Sequence, residues 1–513
     1  LTFPTITAYR TTIAQEGRLS FMADRVATQT LARALPALPF VGGDWQERAT
    51  SQTFDVIDPV TEGTITTVTE ADAATVDAAV TAARRAVDGD WGRSDGTERG
   101  RALNRLADLV EARADDFADL ESLDVGKPGF EPRVIDLPQT VATFRHFAGW
   151  ADKLEGRSIP TAGYMGRRTL SYTVRRPVGV VAAITPWNSP TMISAWKLAP
   201  ALAAGCAVVL KPPEDAPLTS LLLAQLAAEA GLPAGTLNVV PGRGATTGNL
   251  VIDHPGVDKI SFTGSPETGR IVAAAAARRF TPTTLELGGK SPQIVFADAD
   301  LAQAAQGVAV GIFANQGEVC AAGSRILVAR EVYEEFVARL VELAAGVVLG
   351  DPFDAGTTMG ALINSKQQRR VLQYIELGRS EGARVACGGA APDRPGYFVQ
   401  PTFLADATNS MTVAREEIFG PVGAVIPFDD EAQAVDLAND SAYALAATIW
   451  TTDLSRAHDV AGRVEAGSVA VNGWSPLDPR LPWGGSKLSG QGRELGRAGL
   501  DANTQEKTVT VVL

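Results

Sequence analysis

The sequence predicts an α/β chain built around a doubly wound, mostly parallel sheet, and three features predict it. From Pro177 onward, short runs with no polar face alternate with helix-length segments, as expected of parallel strands covered on both sides. Glycines stand just past the ends of those helices, where a left-handed residue closes the last turn. At 513 residues the chain is too long for one ordinary core, so roughly two to four domains are expected.

In chain order, residues 1–36 have no sustained apolar segment and no small-residue cleavage pattern, and read as an N-terminal extension. Leu1 at the start and the first methionine at Met22 raise the expectation that residues 1–21 precede the native start. Phe40–Trp45 and Phe54–Pro59 suggest short strands broken by Gly, Asp and Pro. Residues 71–87 and 97–124 place apolar side chains three and four apart, predicting amphipathic helices, and 140–154 continues that pattern. Arg168–Arg175 alternates with both faces partly polar, which suits an exposed sheet or an arm that pairs with another subunit. Strands follow at Val178–Ile184, Ala207–Leu210, Leu237–Val240 and Lys259–Phe262, with helices at Thr191–Ala204, stopping at Gly205, and at Pro217–Ala230. Such spacing implies right-handed crossovers. A second α/β region begins after Glu286, with strands at Pro292–Phe296 and Arg325–Val328 and helices at Leu301–Ala314 and Val332–Ala345. The closing strand Thr508–Leu513 has no later partner in the chain and reads as an intersubunit edge. Without repeats or low-complexity linkers, two domains that share a cleft are expected.

The net charge of −13 argues against a nucleic-acid partner, because a phosphate-binding surface needs a basic excess. No apolar run approaches the roughly 20 residues that span a bilayer, so no membrane partner is expected. Cys206, Cys320 and Cys387 form no paired framework and no metal spacing, which suits a reducing, intracellular setting. His146, His254 and His458 form no ligand cluster, so zinc and Ser-His-Asp chemistry are disfavoured and no metal is expected.

Chemistry concentrates between Glu286 and Cys320. Glu286-Leu287-Gly288-Gly289-Lys290 sets a carboxylate before two glycines, and Asn315-Gln316-Gly317-Glu318-Val319-Cys320 sets a thiol after one. Small neighbours let a ligand approach, a thiolate can attack an electrophilic carbon, and a carboxylate can take a proton from water. From these residues alone, a buried structural Cys and a turn Glu are the commoner readings, and both stay open. Upstream, the strand ending at Phe262 leads through Thr263-Gly264-Ser265-Pro266 into an Ala-rich helix. Ser265 can cap that helix, whose N–H groups can receive a phosphate, although the glycine spacing departs from G-x-G-x-x-G and an ordinary turn stays open.

Eight motifs in order then carry a resemblance to the NAD(P)-dependent aldehyde dehydrogenase superfamily over about Phe40–Leu513. They are Thr185-Pro186-Trp187-Asn188, Trp196-Lys197, Lys211-Pro212-Pro213-Glu214, Phe262-Thr263-Gly264-Ser265, the Glu286–Lys290 run, Gln316–Cys320, Glu416–Pro421 and Pro482–Arg493. The resemblance implies a Rossmann-like doubly wound cofactor domain over 37–158 and 177–287, and a second α/β catalytic domain over 288–490. It also implies a small β oligomerisation arm from 159–176 and 491–513, in a homodimer or homotetramer in the cytoplasm.

It further implies that Cys320 is the nucleophile, that Asn188 and the Cys320 N–H form an oxyanion hole, and that Glu286 activates the hydrolytic water. A carboxylate at 286 marks the hydrolytic branch and disfavours a coenzyme A-acylating semialdehyde dehydrogenase; Cys320, Asn188 and Glu286 together disfavour a catalytically silent structural homologue. Lys197 and Glu494 match residues lining a proton or water route. Thr185, Pro186, Trp187, Gly264, Ser265 and Gly288 match cofactor-contacting positions. Lys211 and Glu214 match the holders of the adenine ribose, where an acid would repel a 2′-phosphate and so favour NAD over NADP. Glu417 and Phe419 match residues around the nicotinamide ribose, and Gln367 and Arg370 fall near a further ribose position, with Arg in place of the commoner Lys. Among the pocket positions Ser189, Ile193, Trp196, Ala314, Val319, Leu477 and Trp483, Ser189 replaces a frequent Phe and Trp483 a usual Phe. Pro213 and Pro266 also depart from the family pattern. The lost ring at Ser189 leads to an expected roomier apolar channel and a medium or bulky apolar aldehyde, aliphatic or aromatic.

Overall fold

Five parallel strands, Leu237–Val239, Ala207–Lys211, Val180–Ile184, Lys259–Thr263 and Thr283–Glu286, lie in that order at the centre of an eight-stranded sheet. The computed structural model describes residues 24–47, 52–474 and 476–513, so the expectation for residues 1–21 lies outside the described residues. Antiparallel strands close both edges, Phe40–Val41 with Asp44–Trp45 on one side and Gly490–Gln491 beside Glu286 on the other. Val180–Ile184 is buried along its whole length, which is why it carries no polar residue. The helix Pro190–Ala204 packs on this sheet and ends at Gly205, where φ of +93° places the residue in the left-handed region. Chain order reverses between Val180–Ile184 and Lys259–Thr263, so the carboxyl ends of these strands open the crevice where such sheets take ligands.

A seven-stranded sheet follows in the order Arg384–Cys387, Thr402–Ala405, Val422–Phe428, Arg325–Ala329, Pro292–Val295, Ala446–Trp450 and Ser468–Val471. All its pairings are parallel except the first. The α/β class and the Rossmann-like character of the first sheet therefore stand as expected.

The structure differs from the sequence reading in three places. The closing strand, Thr504–Val512, pairs over its full length with Thr169–Pro177 of the same chain, with Ser158–Ile159 as third strand. The helical pattern over 97–124 divides at Arg113 into Gly96–Ala112 and Ala114–Val125, the first opened by an Asp95–Glu98 capping box. Arg25–Ala34, read as part of an N-terminal extension, is a helix capped by Asp24. Its buried face is Thr28 and Ala32 rather than large apolar residues, and Arg25 ties it to Asp58 and Asp351. Among the described residues no helix is long and apolar enough to cross a membrane.

Candidate active site

Glu286 ends its strand in register with Thr263, and the Gly264 N–H donates to the Glu286 carbonyl at 3.0 Å, so the glycine turn and the carboxylate are neighbours. The two sheets meet here by close backbone approach. A Cβ on Gly289 would collide with the Cys320 carbonyl, and one on Gly484 would collide with the Glu286 carboxylate. Glycine is required at Gly289 by the backbone contact and at Gly484 by its φ of +145° as well.

Cys320 follows a constrained loop. Asn315 and Gln316 take left-handed φ values of +47° and +55°, and Gly317 follows at +74°. Non-glycine residues rarely do this in succession, so the surroundings must hold them. The Asn315 N–H donates to Glu131 Oε2 at 2.8 Å, the Asn315 amide to the Asn188 carbonyl at 2.6 Å, and the Ile363 N–H to Glu318 Oε1 at 3.1 Å. The Asn188 amide donates to the Glu318 carbonyl at 2.8 Å, leaving its second N–H for another acceptor.

The site is electrostatically restrained. Burial first, then the charges of Glu417 and Glu286, push the half-buried Cys320 thiol up to about 12. Burial and the nearby Glu494 hold Glu286 well above the usual carboxylate range, against Lys197 and Arg493. Neither Glu286 oxygen has a hydrogen-bond partner among the described residues. Lys197 Nζ donates to Glu494 Oε1 at 2.6 Å and to Thr263 Oγ1 at 2.7 Å, all deeply buried. Iodoacetamide is accordingly expected to modify Cys320 slowly at pH 7 without cofactor, accelerating above about pH 10 as the thiolate forms. A rate already level at pH 8, measured by peptide mass spectrometry, contradicts this.

The cofactor candidates fall into two groups. Lys211 Nζ donates to Glu214 Oε2 at 2.9 Å, and the Gly244 N–H reaches the same oxygen at 3.1 Å. The Glu214 side chain stays 42% exposed, so a ribose diol can reach it. Ser265 caps the helix Pro266–Ala277, accepting from the Thr268 N–H at 3.2 Å, which leaves a helix N-terminus at the sheet's switch point as a phosphate seat. Thr185-Pro186-Trp187 continues from the neighbouring strand end. In the second group, Trp187 meets Phe419 edge to face at 5.2 Å, joining the two regions. Glu417 Oε1 accepts the Gly289 N–H at 3.0 Å, and a Cβ on Gly288 would collide with its carboxylate. Burial raises Glu417 to about 7, against Gly289 and Lys290. Gln367 donates to the Phe419 carbonyl at 2.6 Å and Arg370 to the Glu417 carbonyl at 2.8 Å, so in this structure both hold the loop that carries Glu417 and Phe419.

Of the pocket candidates, Ile193, Trp196 and Trp483 are buried, and the two indoles pack at 5.9 Å. Val319 and Leu477 are partly buried against the hydrophobic core around the first sheet, and Ala314 ends the helix before the Cys320 loop. Ser189 lies 3.5 Å from the buried Lys127 ammonium.

That contact exposes a cluster the sequence reading missed. Lys127 bonds Glu121 at 2.7 Å and Asp136 at 3.1 Å, with Glu131 beside them bracing Asn315. Its burial is a matter of packing: Phe117–Val125 carries Asp119, Glu121 and Asp124 among apolar residues, and in the structure every residue of it but Asp119 is buried. Burial pushes Glu131 up to about 8, opposed by Lys127 and the Asn315 N–H. A carboxyl raised on folding contributes stability that is full below its unfolded value, about 4.5, and is lost as pH rises through about 8. Glu131→Gln keeps the acceptor without the ionisation. Its melting temperature relative to the parent is expected to climb by a few degrees between pH 5 and pH 9; a pH-independent difference contradicts this.

Known proteins share this architecture. A profile of the Aldehyde dehydrogenase family matches residues 45–509. The chain is 44% identical to human retinal dehydrogenase 2 over 475 residues, covering 92% of this chain and 91% of that protein. It is 45% identical to human mitochondrial aldehyde dehydrogenase, with 92% and 91% covered. An NAD+ complex of the Bacillus cereus aldehyde dehydrogenase superimposes with a TM-score of 0.91 at 44% identity, covering 93% of this chain and 96% of that one. Staphylococcus aureus betaine aldehyde dehydrogenase with NAD+ gives 0.93 at 38% identity, covering 96% and 98%.

Proposed function

Because the chain belongs to the aldehyde dehydrogenase family, we propose that it is an NAD-dependent enzyme that oxidises an aldehyde to the carboxylic acid through a covalent intermediate on Cys320. The observation that supports this reading is that the Cys320 thiol lies within reach of the Glu286 charge, with Gly289 against the Cys320 carbonyl and the Asn188 amide held at the same loop. Cys320 sulfur bonds to the aldehyde carbon, and the oxygen, now an alkoxide, is received by the free N–H of Asn188 and the backbone N–H of Cys320. NAD, when bound, supplies the hydride acceptor. Glu286, once ionised, takes a proton from the water that attacks the resulting thioester; the C–S bond breaks and the acid leaves.

Lys211, Glu214, Gly264, Ser265 and Trp187 would hold NAD on the first sheet, and Glu417 and Phe419 would meet it from the second. Residues 37–158 and 177–287 would then form the cofactor domain and 288–490 the catalytic domain. Residues 159–176 and 491–513 would form an arm that builds a homodimer or homotetramer; Ile159, Leu170, Val511 and Val512 leave apolar surface exposed there. The unpaired Cys206, Cys320 and Cys387 support a reducing cytoplasmic setting. NADH absorbance with an aldehyde panel, with and without coenzyme A, tests the reading. Full turnover without coenzyme A is expected, and an absolute requirement for it overturns the hydrolytic assignment.

Small Ser189 and Ala314 with aliphatic Ile193 and Leu477 support a medium or bulky apolar aldehyde. Longer aliphatic and aromatic aldehydes are expected to show higher kcat/KM than acetaldehyde, and the reverse order contradicts this.

A further inference from the structure

Glu318 is the one acidic residue of the Asn315–Cys320 loop, and the chemistry of Cys320 and Glu286 leaves it without a task. It is fully buried, two residues before the thiol. Burying a carboxyl is costly unless its contacts offset the loss of water, so what it touches is informative. Its Oε1 accepts the Ile363 N–H at 3.1 Å, while Oε2 has no partner among the described residues. Residues 360–364 lie outside any helix or strand and Ile363 is buried, so this N–H has no ladder to join and takes the carboxyl instead. The Gly360 N–H reaches Gln316 Oε1 at 3.4 Å, a second tie between the loop and the same segment. The main chain of Glu318 serves the candidate oxyanion hole. Its carbonyl accepts the Asn188 amide at 2.8 Å and the Asn315 amide at 3.4 Å, and its N–H closes the turn on the Asn315 carbonyl at 2.8 Å. An amide has two N–H groups, so the carbonyl that takes one fixes where the other points. The turn cannot hold this carbonyl by itself: Asn315 and Gln316 are left-handed, and a Cβ on Gly317 would collide with the Gly420 carbonyl. Such a turn persists only when its surroundings hold it. Glu131 holds its entry at the Asn315 N–H, and Glu318 holds its exit at Ile363.

We propose that Glu318 is a positioning residue for the oxyanion hole: its side chain, anchored on the Ile363 N–H, sets the carbonyl that aims the Asn188 amide at the oxygen of the bound aldehyde. The inference rests on the covalent role of Cys320 argued above. Glu318 acts through Asn188 and takes no part in the bond changes. The role requires an acceptor at the Oε1 position; it does not require a charge. Burial holds the carboxyl well above the usual carboxylate range, with Asp215 adding to the rise and the Ile363 N–H and Lys127 opposing it. A glutamine of the same length can therefore take its place, and an aliphatic side chain cannot.

The test follows acetylation of Cys320 by 4-nitrophenyl acetate, which needs no cofactor, by rapid quenching and intact mass. Sulfur bonds to the acetyl carbon, the thiol proton goes to water and 4-nitrophenolate leaves, so the rate reads the step in which the oxyanion forms. Glu318→Leu, which fills the space without an acceptor, should lower this rate by on the order of tenfold, and Glu318→Gln should restore the parent rate. In an Asn188→Ala background the same Leu replacement should slow acetylation no further, because the amide it aims is gone. Where Glu318→Leu fails to fold, Glu318→Asp, whose shorter side chain draws back from the Ile363 N–H, takes its place in the same cycle. A parent rate in Glu318→Leu, a Gln variant as slow as the Leu variant, or equal slowing with and without the Asn188 amide overturns the role. Failure of the parent to acetylate Cys320 overturns the covalent reading itself, and the role with it.

Discussion

Replacing Cys320 by Ala lowers steady-state NADH formation by about 10⁴-fold or more, while NAD binding, read by protein fluorescence, is retained. The loss is large because no other thiol can stand in. Cys206 is fully buried and bonded to the Asn503 carbonyl, and Cys387 lies on the edge strand Arg384–Cys387 of the second sheet. The structural cost is small, since a single atom is removed from a half-buried position. Retained activity would remove the nucleophile from the mechanism; an unfolded variant would be recognised from its melting curve.

Glu286→Gln separates the two halves of the reaction. Acylation of Cys320 does not need the carboxylate as base for water, so the first turnover should release about one NADH per subunit. Hydrolysis loses its base, and the steady rate falls by on the order of 10³-fold. Stability should move in the opposite sense. Glu286 is buried with both oxygens unpaired, and its carboxyl is held far up by burial and Glu494. By linkage the parent loses stability as pH rises above the ordinary carboxyl value, whereas the Gln variant has nothing to ionise. The variant should therefore melt no lower than the parent at pH 9 while being nearly inactive. A rapid burst followed by slow turnover, read by stopped-flow absorbance, is the expected signature; equal slowing of burst and steady phases would place Glu286 before acylation instead.

Much of the fold was legible because burial on both faces leaves a strong mark. Runs such as Val180–Ile184 and Ala207–Lys211 can only be covered strands once Gly205 ends the helix between them. Less legible were elements whose burial uses small residues or whose partners are distant in sequence. The Arg25–Ala34 helix buries Thr28 and Ala32, and Thr504–Val512 finds its partner more than three hundred residues upstream. In the site, Cys320 and Glu286 stand in motifs with characteristic neighbours. The Lys127 cluster does not, because an acid in a helical pattern reads as a solvated face until packing shows that no solvated face exists. Lys259, Ser261 and Thr263 belong to a strand that was legible, but only packing shows that its polar residues are buried as completely as its apolar ones.

The central claim is that an aldehyde becomes an acid through a thioester on Cys320 that Glu286 helps to hydrolyse. Mixing Glu286→Gln with NAD and hexanal, quenching in acid and sequencing the labelled peptide by mass spectrometry tests it most directly. A hexanoyl increment on Cys320, about one per subunit and persisting for many parent turnover times, is the predicted result. No adduct in an enzyme that still forms NADH, or an adduct on any other residue, would contradict it.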